Sequence, residues 1–410
     1  MKPIQLLVLV SLFAIFFSCN TESIETVLFA VPKYKSLDEI RNNVQIESAR
    51  STNSDGKIYV TAKYLFYIAQ EEGVHIFDNQ NPSNPQNIAF IRIEGLHDIA
   101  VKDNYLYADN FRDLLVFDIS DINTISLAQT LGNVIDFSPI YPSQAEYYDY
   151  ENSDWNEGDL LIGFNLEYRE KPDYEYDDIS IFDGLESSSI GTGGSYAKFQ
   201  IKNNALYTLD NWKLNIFNIS TSTETFFDHN LYLNNWFGNG ILETLFIQKQ
   251  YLFVGATDGM YIVDVQNEFN PQFVSQFTHG LACDPVVVNQ NVAYLTIRAN
   301  NTCWGNEIES QINVIDISNI NNPILSSTYL IDEPYGLGYH NNTLYVCNDL
   351  NKLNIFDAST NDLQLENTYN INVKDVIPLE THLIAVGNQK IIQFSYQDNF
   401  ELNIISEINF

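Results

Sequence analysis

Six residues that hold the same place in a repeated pattern, His97, Ala197, Glu243, Asp284, Tyr335 and Asp375, form the one chemical constellation in this chain of 410 residues. Five of the six are polar where apolar packing would be expected. Carboxylate oxygens are hard ligands, so such a set suits a divalent cation such as calcium, or a polyhydroxylated ligand. The same polarity also arises where a wet channel merely solvates its lining. Hydrolysis or elimination on a polysaccharide would need two carboxylates with separated pKa values, about 5 to 9.5 Å apart. Glu243, Asp284 and Asp375 could supply such a pair, although no spacing in the sequence demands it.

Other chemistry is missing by motif. The chain has no GxSxG, HExxH, P-loop, GxGxxG or CxxC, and His75, His97, His229, His279, His340 and His382 form no metal-spaced pair. No catalytic residue and no metal ligand set is therefore assigned, and no cofactor is expected beyond the cation just named. A second candidate lies between Tyr141 and Asp178, where seven Tyr and Trp155 sit among twelve acidic residues. Tyr147, Tyr148, Tyr150 and Trp155 there would suit recognition of a glycan or protein, since each ring offers broad contact area and a polar tip. The alternative is that these rings cover their own sheet.

The positions above are defined by repeats. Apolar strands ending in Asp or a near substitute recur at Asp78, Asp118, Asn218, Asp264, Asp316, Asp357 and Ser395. The intervals are 40, 100, 46, 52, 41 and 38 residues, and periods near 40 belong to four-stranded propeller blades. Before each anchor runs strand, tight polar turn, strand, as in HDIAVKDNYLYADN and YGLGYHNNTLYVCND. The anchor Asp is read as a turn former, because Asp and Asn bond backbone two residues on. Placed on inner strands, the six constellation residues would ring one mouth of a central channel.

The segments GKIYVTAKYLFYIAQEEGVHIFDNQNPSNP, HDIAVKDNYLYADNFRDLLVFDIS and CDPVVVNQNVAYLTIR resemble the LVIVD-repeat family of bacterial propeller proteins, common among Bacteroidetes lipoproteins. The resemblance covers roughly residues 56 to 410 and implies fold and export, with no settled activity to carry over. The expectation is an all-β fold, a single β-propeller of four-stranded blades. Seven blades are expected, eight being the alternative, with a long insertion at residues 134–194 that holds strand-like DLLIGF and ISIFDG.

Lys2, the apolar run from Ile4 to Phe17, and Ser18–Cys19 read as a signal peptide over 1–18 that resembles a bacterial lipoprotein signal, with Cys19 lipidated. The alternative is plain secretion with Cys19 removed or free. Residues 19–55 read as a polar tether, apart from a short helix around 36–49, and 56–410 as the propeller. The expected address is the bacterial outer membrane or cell surface, with the lipid as the membrane contact. Twenty basic against 53 acidic residues give a formal charge of −33, which repels nucleic acid and suits a soluble monomer. Cys283 and Cys303 flank one predicted hairpin and are expected to form a disulfide, leaving Cys347 buried in a strand. The functional expectation is a non-enzymatic binding or scaffold module for a glycan, protein or small ligand.

Overall fold

Short alternating runs joined by two-residue turns dictate antiparallel hairpins, and the turns carry the conformation such hairpins need. Asp103, Asn203, Lys249, Gln290 and Asn341 all have φ between 46° and 55°, the left-handed region in which a tight turn matches the twist of its strands. The computed structural model describes residues 25–52, 54–151, 153–171, 195–221, 223–233, 240–280, 285–298, 309–387 and 389–410. Almost all regular structure there is β.

Seven sheets are successive four-stranded meanders, each built from one continuous stretch, over 56–92, 99–131, 199–232, 242–278, 286–330, 334–369 and 375–409. These are blades 1 to 7 of a propeller. Among the described residues an apolar cluster fills every junction between consecutive blades, and a seventh joins blade 7 back to blade 1. Each blade covers its faces on its neighbours, which a lone sheet could not do. The third strands end at the expected anchors, and the carboxylate or amide of Asp78, Asp118, Asn218, Asp264, Asp316 and Asp357 accepts the N–H two residues on, at 2.7–3.0 Å.

The seam between blades 7 and 1 shares no strand. It is held by side chains: Gln393 Nε2 donates to Asn79 Oδ1 at 2.8 Å and to the Pro82 carbonyl at 3.2 Å, while Asn79 Nδ2 donates to Gln393 Oε1 at 3.1 Å. His382 Nε2 lies 3.0 Å from the same Oε1. Beside this amide pair Phe410 stacks on Tyr67, with ring centroids 4.2 Å apart.

Residues 25–55 depart from the tether expected of them. Gln45–Ser48 adds a fifth, outer strand to blade 1, antiparallel to Gln86–Arg92. Helix α1, Leu37–Asn42, starts at an N-cap where the Ser36 side chain accepts the Glu39 N–H. Arg41 clamps it through a two-pronged ion pair with buried Asp113, at 2.6 and 2.9 Å. An added outer strand is held by backbone bonds and needs no apolar alternation, so its sequence carries no period to read. The short helix does fall within the span expected for one. No helix of the described residues is long and apolar enough to cross a membrane.

The eighth sheet is a separate unit. Thr26–Lys35 lies at its centre, parallel to Tyr147–Tyr148 on one side and beside Leu160–Glu170 on the other. The described part of the insertion thus contributes two strands to a three-stranded sheet. DLLIGF enters this sheet, while ISIFDG lies outside the described residues.

Candidate functional site

The pairing register fixes which residues stand level around the propeller axis. Ile58, Ile99, Phe199, Leu245, Val286, Leu337 and Val376 hold equivalent places, each opposite the residue nine further on. The level just before them is Lys57, Asp98, Lys198, Thr244, Pro285, Gly336 and Asp375. One residue further out stand Gly56, His97, Ala197, Glu243, Tyr335 and Lys374. The sequence column therefore mixes two levels: Asp375 belongs to the inner one, and Lys374 takes its place in the outer. The second strand of blade 7 reads HLIAVG and has Ile384 where the aligned second strands of blades 2 to 6 carry Tyr or Phe, which is why the alignment slips there. Asp284, Cys283, Cys303 and Cys19 lie outside the described residues.

His97 is oriented by a carboxylate. Asp109 Oδ1 accepts the N–H groups of His97 and Asp98 at 2.8 and 2.9 Å, and its Oδ2 lies 2.7 Å from His97 Nδ1. Buried Asp98 is consumed by backbone: it accepts the N–H groups of Lys198 and Phe199 at 2.6 and 3.1 Å, tying blade 2 to blade 3, and that of Ile99 at 2.8 Å. Its burial still holds the carboxyl above the usual range. On the opposite side the Arg298 guanidinium lies 4.4 Å from the Tyr335 ring centroid, a cation–π contact, while Thr296 Oγ1 donates to the Tyr335 carbonyl at 2.8 Å.

Asp375 is the most perturbed acid. Its side chain is fully buried, and burial pushes its carboxyl up to about 7, against hydrogen bonds from Val376 and Ser195 and the charge of Lys57. Oδ1 accepts the Ser195 hydroxyl at 3.1 Å, and that oxygen in turn accepts the Leu337 N–H at 2.9 Å. Oδ2 has no hydrogen-bond partner among the described residues. Gly336 leaves the room: a Cβ there would stand 2.2 Å from Asp375 Oδ1. Tyr196 lies within the field of Arg298, Asp375, Tyr335 and Glu243, and its burial raises the phenol well above the ordinary range. Lys198 is lowered by burial and then by the like charge of Lys57. Buried free Cys347 also feels Asp375, and burial raises its thiol.

Charged or hydrogen-bonding side chains thus reach this end of the axis from every blade: Lys57, His97 with Asp98, Lys198, Glu243, Arg298, Tyr335 and Asp375. Lys57, Asp98, Tyr196, Lys198 and Arg298 escaped the sequence reading. Moving one residue inward along the same alignment, and including blade 1, would have found three of them. Among the described residues, no three of His, Cys, Asp and Glu are gathered as a metal ion would require.

In the separate three-stranded unit the four candidate aromatics divide. Tyr147 stacks on Phe29 with centroids 5.1 Å apart, and Tyr148 packs on Tyr141 and Phe164 while its hydroxyl donates to the Pro142 carbonyl at 2.9 Å. Those two rings cover their own sheet. Tyr150 and Trp155 are 45 % and 58 % exposed, and Tyr168 is more exposed still. Replacing Trp155, Tyr150 and Tyr168 together by Ala should leave the thermal midpoint within a few degrees, while Tyr148→Ala should cost the unit about 2–4 kcal/mol, read as early loss of near-UV circular dichroism. A collapse of the triple variant would show that the exposed rings pack as well.

Comparison with known proteins assigns the repeat. Residues 96–130, 240–279 and 309–331 match the LVIVD repeat. The chain carries LVIVD repeats. The first two matches span blades 2 and 4 from the mouth residues onward, so one LVIVD repeat is one blade that begins at the candidate site. No curated protein matches the chain in sequence. In fold, the LVIVD-repeat chain is similar to a candidate 6-phosphogluconolactonase from Bacteroides fragilis, with a TM-score of 0.55, 10% identity, and coverage of 92% of this chain and 97% of that one. It is also similar to the periplasmic gluconolactonase PpgL of Pseudomonas aeruginosa, with a TM-score of 0.53, 9% identity, and coverage of 89% and 96%. At such identities the likeness is one of fold.

Proposed function

We propose that this LVIVD-repeat protein is a lipid-anchored, monomeric module of the bacterial cell envelope that binds a small polar ligand at the mouth of its propeller, without catalysis. The observation that supports the reading is Asp375: a wholly buried carboxyl with one oxygen unpartnered among the described residues, within the field of Tyr196 and Lys57. Packing alone would place an apolar residue there, and perturbed acids concentrate at functional sites. Full-length protein on a glycan array should retain a ligand, and the double variant Arg298→Ala/Tyr335→Ala should lose it with the fold intact. Retention undiminished in that variant would place binding elsewhere. The anchor rests on the sequence around Cys19. Metabolic labelling with a palmitate analogue should mark the wild type and not Cys19→Ala; equal labelling of both would remove the anchor from the proposal.

An enzymatic reading is favoured by one fact. A carboxyl that titrates near 7 is suited to give up a proton at neutral pH. A propeller hydrolase or lyase would use Asp375 as the acid and Glu243 or Asp284 as its ionised counterpart, and Asp375→Asn would then abolish turnover of a polysaccharide that the binding module leaves intact.

A further inference from the structure

Two ammonium groups at the propeller mouth lack a direct ion-pair partner among the described residues. Lys57 is 4 % exposed, yet neither it nor Lys198 makes a side-chain hydrogen bond or ion pair among the described residues. They belong to blades 1 and 3 at the same level of the axis and lie close enough for the charge of Lys57 to act on Lys198. Three carboxylates act on Lys198 by charge: Asp98 is engaged by three backbone N–H groups and Asp109 by two more and His97, while Glu243 makes no direct hydrogen bond or ion pair to either lysine among the described residues. Lys374 faces Asp55 at 3.5 Å, so it has a partner of its own. A buried charge without a partner is costly and persists where something offsets it. Two further groups have no hydrogen-bond partner among the described residues, Asp375 Oδ2 at the same level and the hydroxyl of Tyr196, two residues before Lys198. Paired ammonium groups repel a cation, which argues against calcium here.

We infer that Lys57 and Lys198 jointly bind the oxyanion of a small hydroxylated acid, a sugar acid or a phosphate ester, whose hydroxyls meet Asp375 Oδ2 and the Tyr196 phenol. The inference rests on the mouth being a ligand site, as proposed above. Charge-assisted hydrogen bonds are the strong ones, and a planar or tetrahedral oxyanion has acceptors enough for both lysines. The formal charge of −33 does not prevent this, because the distant surface carboxylates are screened by salt whereas the buried lysines are not.

Isothermal titration of the purified full-length protein with D-glucuronate, glycerol 3-phosphate and glucose tests the inference. At least one of the two anions should bind and glucose should not, the better anion telling carboxylate from phosphate. Lys57→Met and Lys198→Met should each weaken that binding at least about tenfold. Both keep the apolar stem and remove an unpaired charge, so their thermal midpoints should equal or exceed that of the wild type. Glucose bound as well as glucuronate, or anion affinity unchanged in both variants, would overturn the anion site. Absence of binding by either anion would also overturn it. If the glycan array still reports a ligand that depends on Arg298 and Tyr335, the broader reading survives that result.

Discussion

Gln393→Leu should destabilise the propeller by about 3–5 kcal/mol, read as a lower urea midpoint at unchanged slope. Gln393 is fully buried at the seam between blades 7 and 1. Leucine there leaves both amide atoms of Asn79, the Pro82 carbonyl and the His382 Nε2 without partners. Each orphaned buried group costs about 1–3 kcal/mol, whereas replacing both ends of such a bond by apolar groups costs much less. The double variant Asn79→Leu/Gln393→Leu should therefore recover part of the loss. Every other junction joins blades consecutive in sequence, but this one joins residues 314 apart and no covalent neighbour assists it. An effect below about 1 kcal/mol would mean that the apolar cluster around Ile58, Tyr67 and Ile384 closes the ring unaided.

The second large effect concerns Asp375 and depends on pH. Its folded pKa of about 7 lies above the ordinary carboxylate value of 3.8, so the folded state holds the proton more tightly than the unfolded chain does. The native state consequently loses stability as pH rises from about 4 to 7. Three units correspond to about 4 kcal/mol. Asparagine keeps the oxygen that accepts from Ser195 and carries no charge, so Asp375→Asn should match the wild type near pH 4 and exceed it by up to about 4 kcal/mol at pH 8. His75 works in the opposite sense. Burial holds its imidazole down at about 4 from the ordinary value of 6.5, so stability falls as the solution is acidified through that window. In the asparagine variant the Asp375 contribution disappears, leaving His75 and His382, both held down by burial, against the raised carboxyls of Asp98, Asp210 and Glu333. Parallel curves for wild type and variant across pH 4–8 would refute the account of Asp375. A stabilising substitution at that position, coupled with lost binding, is the signature of a group kept for function at a cost in stability.

What the sequence could reveal follows from which interactions are local. The third strands, the Asx turns at Asp78 through Asp357 and the hairpin turns near Asp103 or Gln290 depend on residues two to five apart, and each stands where the pattern placed it. Thr26–Lys35 was unreadable because its partners lie more than 100 residues away, in a sheet whose central strand is covered on both sides. Gln45–Ser48 was unreadable because backbone bonds and the Glu47–Arg92 ion pair hold it, and neither imposes an apolar period. The mouth sits between these cases. Its residues were legible as a polar column, but their level depends on cross-strand register, and one degenerate blade was enough to displace Asp375. That displacement concealed the lysines, since Lys57 and Lys198 share the level that Asp375 occupies.

The strand-free seam also sets a clock. A chain elongating at about 5–20 residues per second needs roughly 15–60 s to bring Gln393 into being after Asn79, residues 314 apart. Blades 1 to 6 can dock in order as they appear, each on a flank already present. Throughout that interval the outer flank of blade 1, with Ile58, Leu65 and Tyr67, faces water and has nothing of its own to cover it. Whatever shields that flank meanwhile, a chaperone or delayed folding, must recognise an apolar sheet face and release it when blade 7 arrives.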